Sequence, residues 1–312
     1  MTVRKAFGAA ARVAVSSVAF AGGAAAFDAQ QFSPAVDPQG YFSVYSSRTA
    51  PAGRYHLAVW YNFANDPVWL DAFRGEDLGE RTKIVDELHT IDVVASYSVL
   101  DWLEVGIDLP ISDVSTDLEG EVRTGTGIDD LRLVGKMQVL DNLARTFGLA
   151  FVPFLDLPTG EEERLTANGD VDYGFLVVAD VIVQRFHASA NVGYKVNDEA
   201  FDDSDESDEI LFGLGAGALV LHDVPILGGL FRDVEVMAEI FGASAEQNAF
   251  DFADELNHPV EGLGGVRLFS PGGFYFGAGV GKSVTKSVNG AGTRVVATLG
   301  YTPPPPPPPP AA

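Results

Sequence analysis

The sequence contains no cysteine, and no apolar run of 18 residues follows residue 26. The first absence excludes a disulfide-stapled secreted scaffold. The second excludes a membrane-spanning helix in the remainder of the chain. Positive charge is also scarce, because 20 basic residues stand against 44 acidic ones and the net charge is −24. Such a surface repels a phosphate backbone, so the composition argues against nucleic acid as a partner.

Residues 1–26 have the pattern of a secretory signal peptide. Arg4 and Lys5 precede a run rich in alanine and valine, and small residues end it at Ala26. The pattern predicts cleavage before Phe27 and export from the cytoplasm. The predicted domain organisation is a signal peptide at 1–26, an irregular segment at 27–54, a β-barrel at 55–302 and a polyproline linker at 303–312.

The stretch 127–158 reads as two β-strands joined by a turn at Asp141-Asn142. Leu131, Leu133 and other apolar residues alternate with Arg132 and Lys136, so one face is apolar and the other charged. Twelve segments have the length and alternation of tilted membrane strands. They are 55–63, 88–100, 103–111, 131–140, 146–157, 173–183, 186–196, 210–221, 234–243, 260–269, 274–284 and 294–301.

The connections between these segments alternate in length. Short turns fall near residues 100, 141, 184 and 271, with a longer one at 222–232, and long polar loops fall at 69–83, 112–127, 158–172, 197–209, 244–258 and 285–293. Bacterial outer-membrane barrels show this asymmetry. The sequence therefore predicts an all-β, transmembrane antiparallel β-barrel of twelve strands with both termini in the periplasm.

The alternation also divides the strand side chains into a lipid set and a lumen set. A charge on the lipid face costs about 2–4 kcal/mol near the bilayer midplane, so charges are expected inside. The predicted lipid-facing residues include Val93, Val105, Leu133, Phe151, Val181, Val236, Phe276 and Leu299. The predicted lumen-lining residues are Asp92, Glu104, Asp108, Arg132, Lys136, Asp156, Asp180, His187, Lys195, Glu235, Glu239, Glu261, Arg267 and Arg294.

Two further groups of residues leave alternatives open. Aromatic residues near strand ends suit interfacial girdles, and core packing is the alternative for each one. They are Tyr55, Trp60, Trp69, Trp102, Tyr173, Tyr194 and Tyr301. The irregular segment, broken by Pro34, Pro38 and Pro51, either plugs the lumen or lies below the barrel. A plug and paired lumen charges would together leave little ion conductance.

No motif for catalysis or cofactor binding is present. The run Thr124-Gly125-Thr126-Gly127 precedes a strand instead of opening a helix, so it lacks the free amides of a phosphate site. The histidines have no metal-site spacing and no GxSxG occurs. The one metal candidate is a weak Ca²⁺ or Mg²⁺ site in a predicted outer loop, near lipopolysaccharide, formed by Asp202, Asp203, Asp205, Glu206 and Asp208.

The run from Thr124 to Arg132, the hairpin after it, and Leu157-Pro158-Thr159-Gly160 followed by three glutamates resemble the N-terminal barrels of OmpA-family proteins of the myxobacterial type. The resemblance covers roughly residues 27–310. It implies a proline-rich linker and then a peptidoglycan-binding domain, which is absent from these residues. A similar hairpin occurs in transporter-like barrels of the phenol-degradation pathway type, which is the alternative resemblance.

The resemblance implies a structural role. The expected function is an outer-membrane anchor that tethers the membrane to the cell wall, with barrel-assembly machinery, lipid and lipopolysaccharide as partners, and peptidoglycan only through a following domain. The alternative is a channel or transporter for small solutes, apolar ones among them. A peptidoglycan-binding module after Ala312 would favour the anchor, and a stop codon there would favour transport.

Overall fold

The structure, a computed structural model, describes residues 30–71, 81–116, 124–141, 146–161, 166–167, 170–197, 208–246, 249–250, 258–285, 287 and 290–304. The predicted signal peptide, Phe27, Asn142 and most of the proline run lie outside these residues. No helix within the described ranges is long and apolar enough to cross a membrane.

Antiparallel strands make up most of the described chain, and one short 3₁₀ helix lies at Leu227–Gly229. The strands are β1 Tyr55–Asp71, β2 Arg81–Leu100, β3 Leu103–Ser115, β4 Gly125–Ile128, β5 Leu131–Asp141, β6 Phe147–Leu157, β7 Asp172–Val183, β8 Phe186–Val196, β9 Glu209–Leu221, β10 Asp233–Ala245, β11 Val260–Phe269, β12 Phe274–Ser283 and β13 Thr293–Tyr301.

The sheet closes on itself. Neighbouring strands pair in chain order, and β13 returns to pair with β1 from Tyr301 opposite Leu57 to Thr293 opposite Asn65. The short strand β4 pairs only with the end of β3, while β5 pairs with the remainder of β3. Twelve strands therefore form the closed barrel, and the prediction of a twelve-stranded antiparallel barrel is confirmed.

Several predicted strand boundaries were wrong, and one short strand was not predicted. The first hairpin extends past the predicted ends at 63 and 88, and its pairing continues through register shifts to Asp71 opposite Arg81. Most of the short strand β4, and the end of β3 up to Ser115, fall within the predicted loop 112–127. Backbone pairing continues where alternation fades, because strand ends beyond the apolar belt need no lipid-facing side. A small core of Ala64, Val68, Val85, Leu88, Val114 and Ala291 supports this end of the barrel.

Side chains on the strands alternate between the outer and inner faces. Val93 and Val105 are exposed, whereas Asp92 and Glu104, one residue away, are buried. Trp60 is an exception to the girdle prediction, because it is buried inside and packs against Phe32 and Phe42. For this tryptophan the core alternative is correct.

The pairing of Leu57 with Tyr301 puts the start of β1 and the end of β13 at one end of the barrel. The short β2–β3, β7–β8 and β11–β12 turns lie at the same end. Which side of a membrane this end faces stays a prediction.

Candidate functional site in the barrel lumen

Residues 30–54 are called the lumen segment below; the segment lies inside the barrel up to about residue 50, and residues 51–53 are exposed at the end of the barrel that holds the β2–β3 turn. The segment contains neither strand nor helix, and its apolar side chains, including Phe32, Val36, Phe42 and Val44, are buried. They form one core with inward-facing residues of the strands, among them Trp60, Val134, Phe154, Val178 and Phe241. Because those residues come from strands around the whole barrel, the segment fills the lumen instead of lying below it.

Two charged strand residues hold the turn in the middle of the lumen segment. Arg267 of β11 donates from its guanidinium to the carbonyl oxygens of Pro38 at 2.8 Å, Gly40 at 3.1 Å and Tyr41 at 3.0 Å. Glu239 of β10 accepts from the amides that follow. A cation therefore faces the carbonyl side of the turn and an anion faces its amide side.

The carboxylate of Glu239 receives several hydrogen bonds at once. The backbone N–H groups of Phe42, Ser43 and Val44 donate to it at 3.1–3.3 Å, and the Ser43 hydroxyl donates at 2.9 Å. Such convergence of donors on one buried carboxylate offsets its loss of hydration. Glu239 is thus a fixed attachment point for the segment.

Further polar contacts attach the segment to other strands. The Lys136 ammonium lies 2.7 Å from the Asp37 carboxylate, and both side chains are 1% exposed. The Ser47 amide and hydroxyl donate to Asp180 at 3.0 and 2.6 Å. The Tyr45 amide donates to Asn191 at 2.8 Å. The segment is therefore bound on several sides, by β5, β7, β8, β10 and β11.

Two arginines of the barrel wall, on β13 and β5, each pair with a carboxylate on another strand. Arg294 donates to Glu261 at 2.6 and 2.8 Å and to Asn62 at 2.7 Å. Arg132 donates to Asp156 at 2.7 and 2.8 Å. The remaining guanidinium nitrogen of Arg132, Nη1, donates to the Ser33 hydroxyl in the lumen segment at 2.7 Å. Both are bidentate pairs, the strongest geometry for arginine and a carboxylate.

Tyr41 joins the segment to a histidine and carboxylate pair. The His187 ring lies 2.8 Å from Glu235 through Nε2 and 2.8 Å from the Tyr41 hydroxyl through Nδ1. Burial, and then the nearby Glu235 carboxylate, raise the pKa of Tyr41 well above its ordinary value. The hydroxyl therefore stays protonated and is available as a hydrogen-bond donor.

The structure places all fourteen predicted lumen residues on the inner face. Four are partly buried, namely Arg132, His187, Lys195 and Glu235, and the others are buried. The sequence did not identify their partners in the lumen segment, such as Asp37, Ser43 and Ser47. The short alternating run at 41–46 was the one available signal, and it carries no information about which strand each residue contacts.

Most of the predicted calcium site cannot be placed, because Asp202, Asp203, Asp205 and Glu206 lie outside the described residues. Asp208 is described and accepts a hydrogen bond from the Tyr194 hydroxyl at 2.6 Å. Among the residues that the structure describes, no group of three or more histidine, aspartate or glutamate side chains has the geometry of a metal site.

The pairing between β5 and β6 is interrupted within the barrel wall. Pairing stops after Val134 opposite Phe154 and resumes at Met137 opposite Phe151. Pro153 lies in the gap, and proline has no N–H to donate to a neighbouring strand. Over this gap the outer face has an apolar groove of about 670 Å³, lined by residues of β2, β3, β5 and β6. The groove also reaches the inward-facing Val134 and Phe154.

Comparison with known proteins agrees with the barrel fold. A family model described as "Putative MetA-pathway of phenol degradation" matches residues 81–218. The crystal structure of an outer-membrane channel from Pseudomonas putida F1 is 13% identical with a TM-score of 0.52, covering 82% of this chain and 97% of that one. The chain has the fold of an outer-membrane β-barrel.

Other solved barrels are less similar. The NanC porin has a TM-score of 0.49 at 8% identity, covering 79% of this chain and 98% of its own. The Pseudomonas putida toluene transporter TodX has a TM-score of 0.42 at 9% identity, covering 89% and 99%. No curated protein sequence matches the chain significantly. Membership of the OmpA family stays a prediction.

Proposed function

We propose that this chain is an outer-membrane channel for small apolar solutes, closed to ions by the lumen segment. It is exported by the predicted signal peptide, and both ends of the barrel chain face the periplasm. The proposal takes up the alternative drawn from the sequence in preference to the anchor. The tethering role implied by the OmpA-family resemblance stays a prediction, as do lipopolysaccharide, the assembly machinery and calcium as partners.

The contents of the lumen argue against a general porin. A porin of sixteen or more strands encloses an aqueous channel, whereas twelve strands enclose a narrower interior. Here that interior holds apolar residues of the lumen segment, attached by the Lys136–Asp37 pair and by Glu239 and Arg267. Hydrated ions therefore meet an obstruction that is packed against the barrel wall and hydrogen-bonded to it.

The observation that carries the proposal is the apolar groove over the gap between β5 and β6. An apolar solute gains free energy when it leaves water for apolar surface, so a path along the groove into the bilayer suits it and excludes ions. The gap has fewer backbone hydrogen bonds to break than a regular ladder. The match to a phenol-degradation family and the fold shared with an outer-membrane channel support the same class of function.

A side chain can be added in the groove without straining the backbone. A Cβ added at Gly135, on the outer face beside Pro153, would lie 3.5 Å from the proline ring, which is an ordinary contact. We therefore expect Gly135→Leu to narrow the groove beside Pro153. A matched control is Gly264→Leu on β11, where the nearest atom to an added Cβ is 3.8 Å away.

The measurement is uptake of a labelled aromatic hydrocarbon, such as toluene, by Gram-negative cells that produce each variant at equal levels. The expected result is uptake above that of cells without the protein, lost in Gly135→Leu and kept in Gly264→Leu. Uptake by Gly135→Leu at the wild-type rate, or no uptake by wild type, would overturn the proposal.

A further inference from the structure

The lumen segment leaves the barrel at the end that holds the short turns, called the short-turn end below. The Thr49 hydroxyl donates to the carbonyl oxygen of Asp101 in the β2–β3 turn at 2.5 Å, and the Ala52 amide donates to the Asp101 carboxylate at 2.8 Å. Strand β1 then begins at Tyr55, at the same end of the barrel as Tyr301. The C-terminal end of the segment is therefore attached at the short-turn end. The opposite end, where the long loops join the strands, is the long-loop end.

Phe32 and Ser33 lie at the long-loop end. Nη1 of Arg132 donates to the Ser33 hydroxyl at 2.7 Å, and Arg132 is the second residue of β5. The Arg294 guanidinium lies 5.6 Å from the centre of the Phe32 ring, and Arg294 is the second residue of β13. Both strands begin at the long-loop end and finish at the short-turn end. The segment thus crosses the lumen from one end towards the other between residues 32 and 52.

Gln30 lies close to the rim of the barrel at the long-loop end. It accepts a hydrogen bond from the Thr90 hydroxyl at 2.8 Å. Thr90 is opposite Asn62 of β1, three residues before Asn65, where the pairing of β1 with β13 ends. Three residues of strand correspond to about 10 Å, and three residues of extended chain cover the same distance. The predicted mature N terminus, Phe27, is three residues before Gln30, so the chain is long enough to reach the rim.

The surroundings of this end of the segment are polar. Gln30 and Ser33 line a small cavity of about 50 Å³ together with Asp172 and Lys195. Asp172 is the first residue of β7 and Lys195 is the next-to-last residue of β8, so both lie at the long-loop end. Gln30 and Gln31 are partly exposed, whereas most of the segment between them and residue 47 is buried. Exposure therefore rises again towards residue 30, as it does at residues 51–53.

The lumen leaves no space for the chain before Gln30 to return to the short-turn end. Phe32 packs against Trp60 and Phe241 with ring centres 6.1 Å apart in both pairs, and Phe42 packs against Trp60 at 5.9 Å. These rings belong to one core that joins the segment to strands around the barrel. A second pass of the chain through the lumen would have to displace this core, whereas the rim of the long-loop end is a few residues away.

We propose that the lumen segment is threaded through the barrel, so that the mature N terminus lies at the surface of the long-loop end, on the opposite side of the membrane from Tyr55 and Tyr301. With the membrane orientation of the proposed function, on which only this step rests, that surface faces the outside of the cell. A molecule outside the cell that binds the N terminus would keep the segment from being withdrawn towards the periplasm. The expectation of two periplasmic termini then applies to the ends of the barrel strands and not to the mature N terminus.

The test labels single cysteines introduced into this cysteine-free chain in whole cells. Ala29→Cys, next to Gln30, reports the N-terminal end of the segment, and Ala52→Cys, at an exposed position, is the matched control at the short-turn end. Thr124→Cys, exposed just before β4, marks the long-loop end. The probe is a polyethylene glycol maleimide too large to pass the outer membrane, and a gel shift measures its attachment before and after the membrane is permeabilised. Ala29→Cys and Thr124→Cys should shift in intact cells, and Ala52→Cys only after permeabilisation.

Labelling of Ala29→Cys and Ala52→Cys under the same condition, or no labelling of Ala29→Cys under either condition, would overturn the threading. Labelling of Ala52→Cys alone in intact cells, with the other two labelled only after permeabilisation, would support the threading and contradict the membrane orientation of the proposed function. Hydrocarbon uptake is measured separately, so its absence would contradict the proposed channel alone. Mass spectrometry of the mature protein and heat-modifiable migration verify that each variant is cleaved and folded.

Discussion

Glu239 and Arg267 hold opposite sides of the same turn of the lumen segment. Glu239 accepts the amides of residues 42–44, and Arg267 donates to the carbonyls of residues 38, 40 and 41. The peptide dipoles of the turn thus lie between an anion and a cation, and each charge stabilises the end of the dipoles that faces it. This pair links the barrel wall to the segment that fills it.

The first prediction concerns Glu239. Replacement by glutamine removes the charge and one of the two acceptor oxygens that hold residues 42–44, so the lumen segment should leave the lumen more often. Limited trypsin cleavage after Arg48 should become several-fold faster, and ion openings in planar bilayers more frequent. Glu87→Gln, at an exposed position of β2, is the control. Unchanged cleavage and conductance would mean that Glu239 does not hold the segment.

The second prediction concerns the buried Lys136–Asp37 pair. Lys136→Met leaves Asp37 as an uncompensated buried charge, and such a loss costs about 3–5 kcal/mol. The midpoint of thermal unfolding should fall. The double variant Lys136→Met with Asp37→Asn should recover part of the loss, because the orphan charge is gone. If the double variant is no more stable than the single one, the pair is not the reason for the loss.

The third prediction uses the absence of cysteine. An added Cβ at Gly148 would lie 3.1 Å from the Ser47 Cβ and 2.7 Å from an Asp180 carboxylate oxygen. The two Cβ atoms must therefore move apart by a few tenths of an ångström, and Asp180 must shift, to reach the separation of about 3.5–4.5 Å found in disulfides. Oxidation of Ser47→Cys with Gly148→Cys should attach the segment to β6 and abolish ion openings, and reduction should restore them. Each single cysteine variant should be insensitive to oxidation. Equal conductance in both redox states of the double variant would indicate that ions pass without movement of the segment.

The fourth prediction tests the two faces of β7. Val181 is exposed on the outer face and Asp180 is buried inside, where it accepts from Ser47. Val181→Arg should impair membrane assembly by about 2–4 kcal/mol near the midplane. Asp180→Asn should cost less, because an amide oxygen still accepts a hydrogen bond. Heat-modifiable migration on gels measures assembly. Equal impairment by both changes would contradict the assigned register, since a slip of one residue exchanges the faces.

Strand count, strand faces and closure could be predicted because they are local properties repeated along the chain. Asp92 lies between Ile91 and Val93, and Arg132 between Leu131 and Leu133, so the period of two identifies the inner residue without any knowledge of its partner. The same logic failed at the first hairpin beyond residue 63 and at β4. There backbone pairing continues although the side chains no longer alternate in polarity.

The position of the lumen segment could not be predicted from local sequence patterns. Its prolines and its short alternating run left two placements open, inside the barrel or below it. The choice depends on contacts such as Ser43 with Glu239 and Asp37 with Lys136, which lie far apart in sequence. No periodicity encodes such pairs, because either partner could meet a different charge if the barrel had another diameter or stagger.

The sequence by itself determined that this chain is an antiparallel barrel with a charged interior. A lipid-facing surface requires apolar side chains, and because side chains alternate along a strand, the charged residues between them must face the lumen. The tertiary structure alone decided that the interior is filled and that Arg267 and Glu239 bind one turn. It also decided where the wall is interrupted. Each of these depends on the closure of twelve strands around residues 30–54, which brings together groups that the linear order of the chain keeps apart.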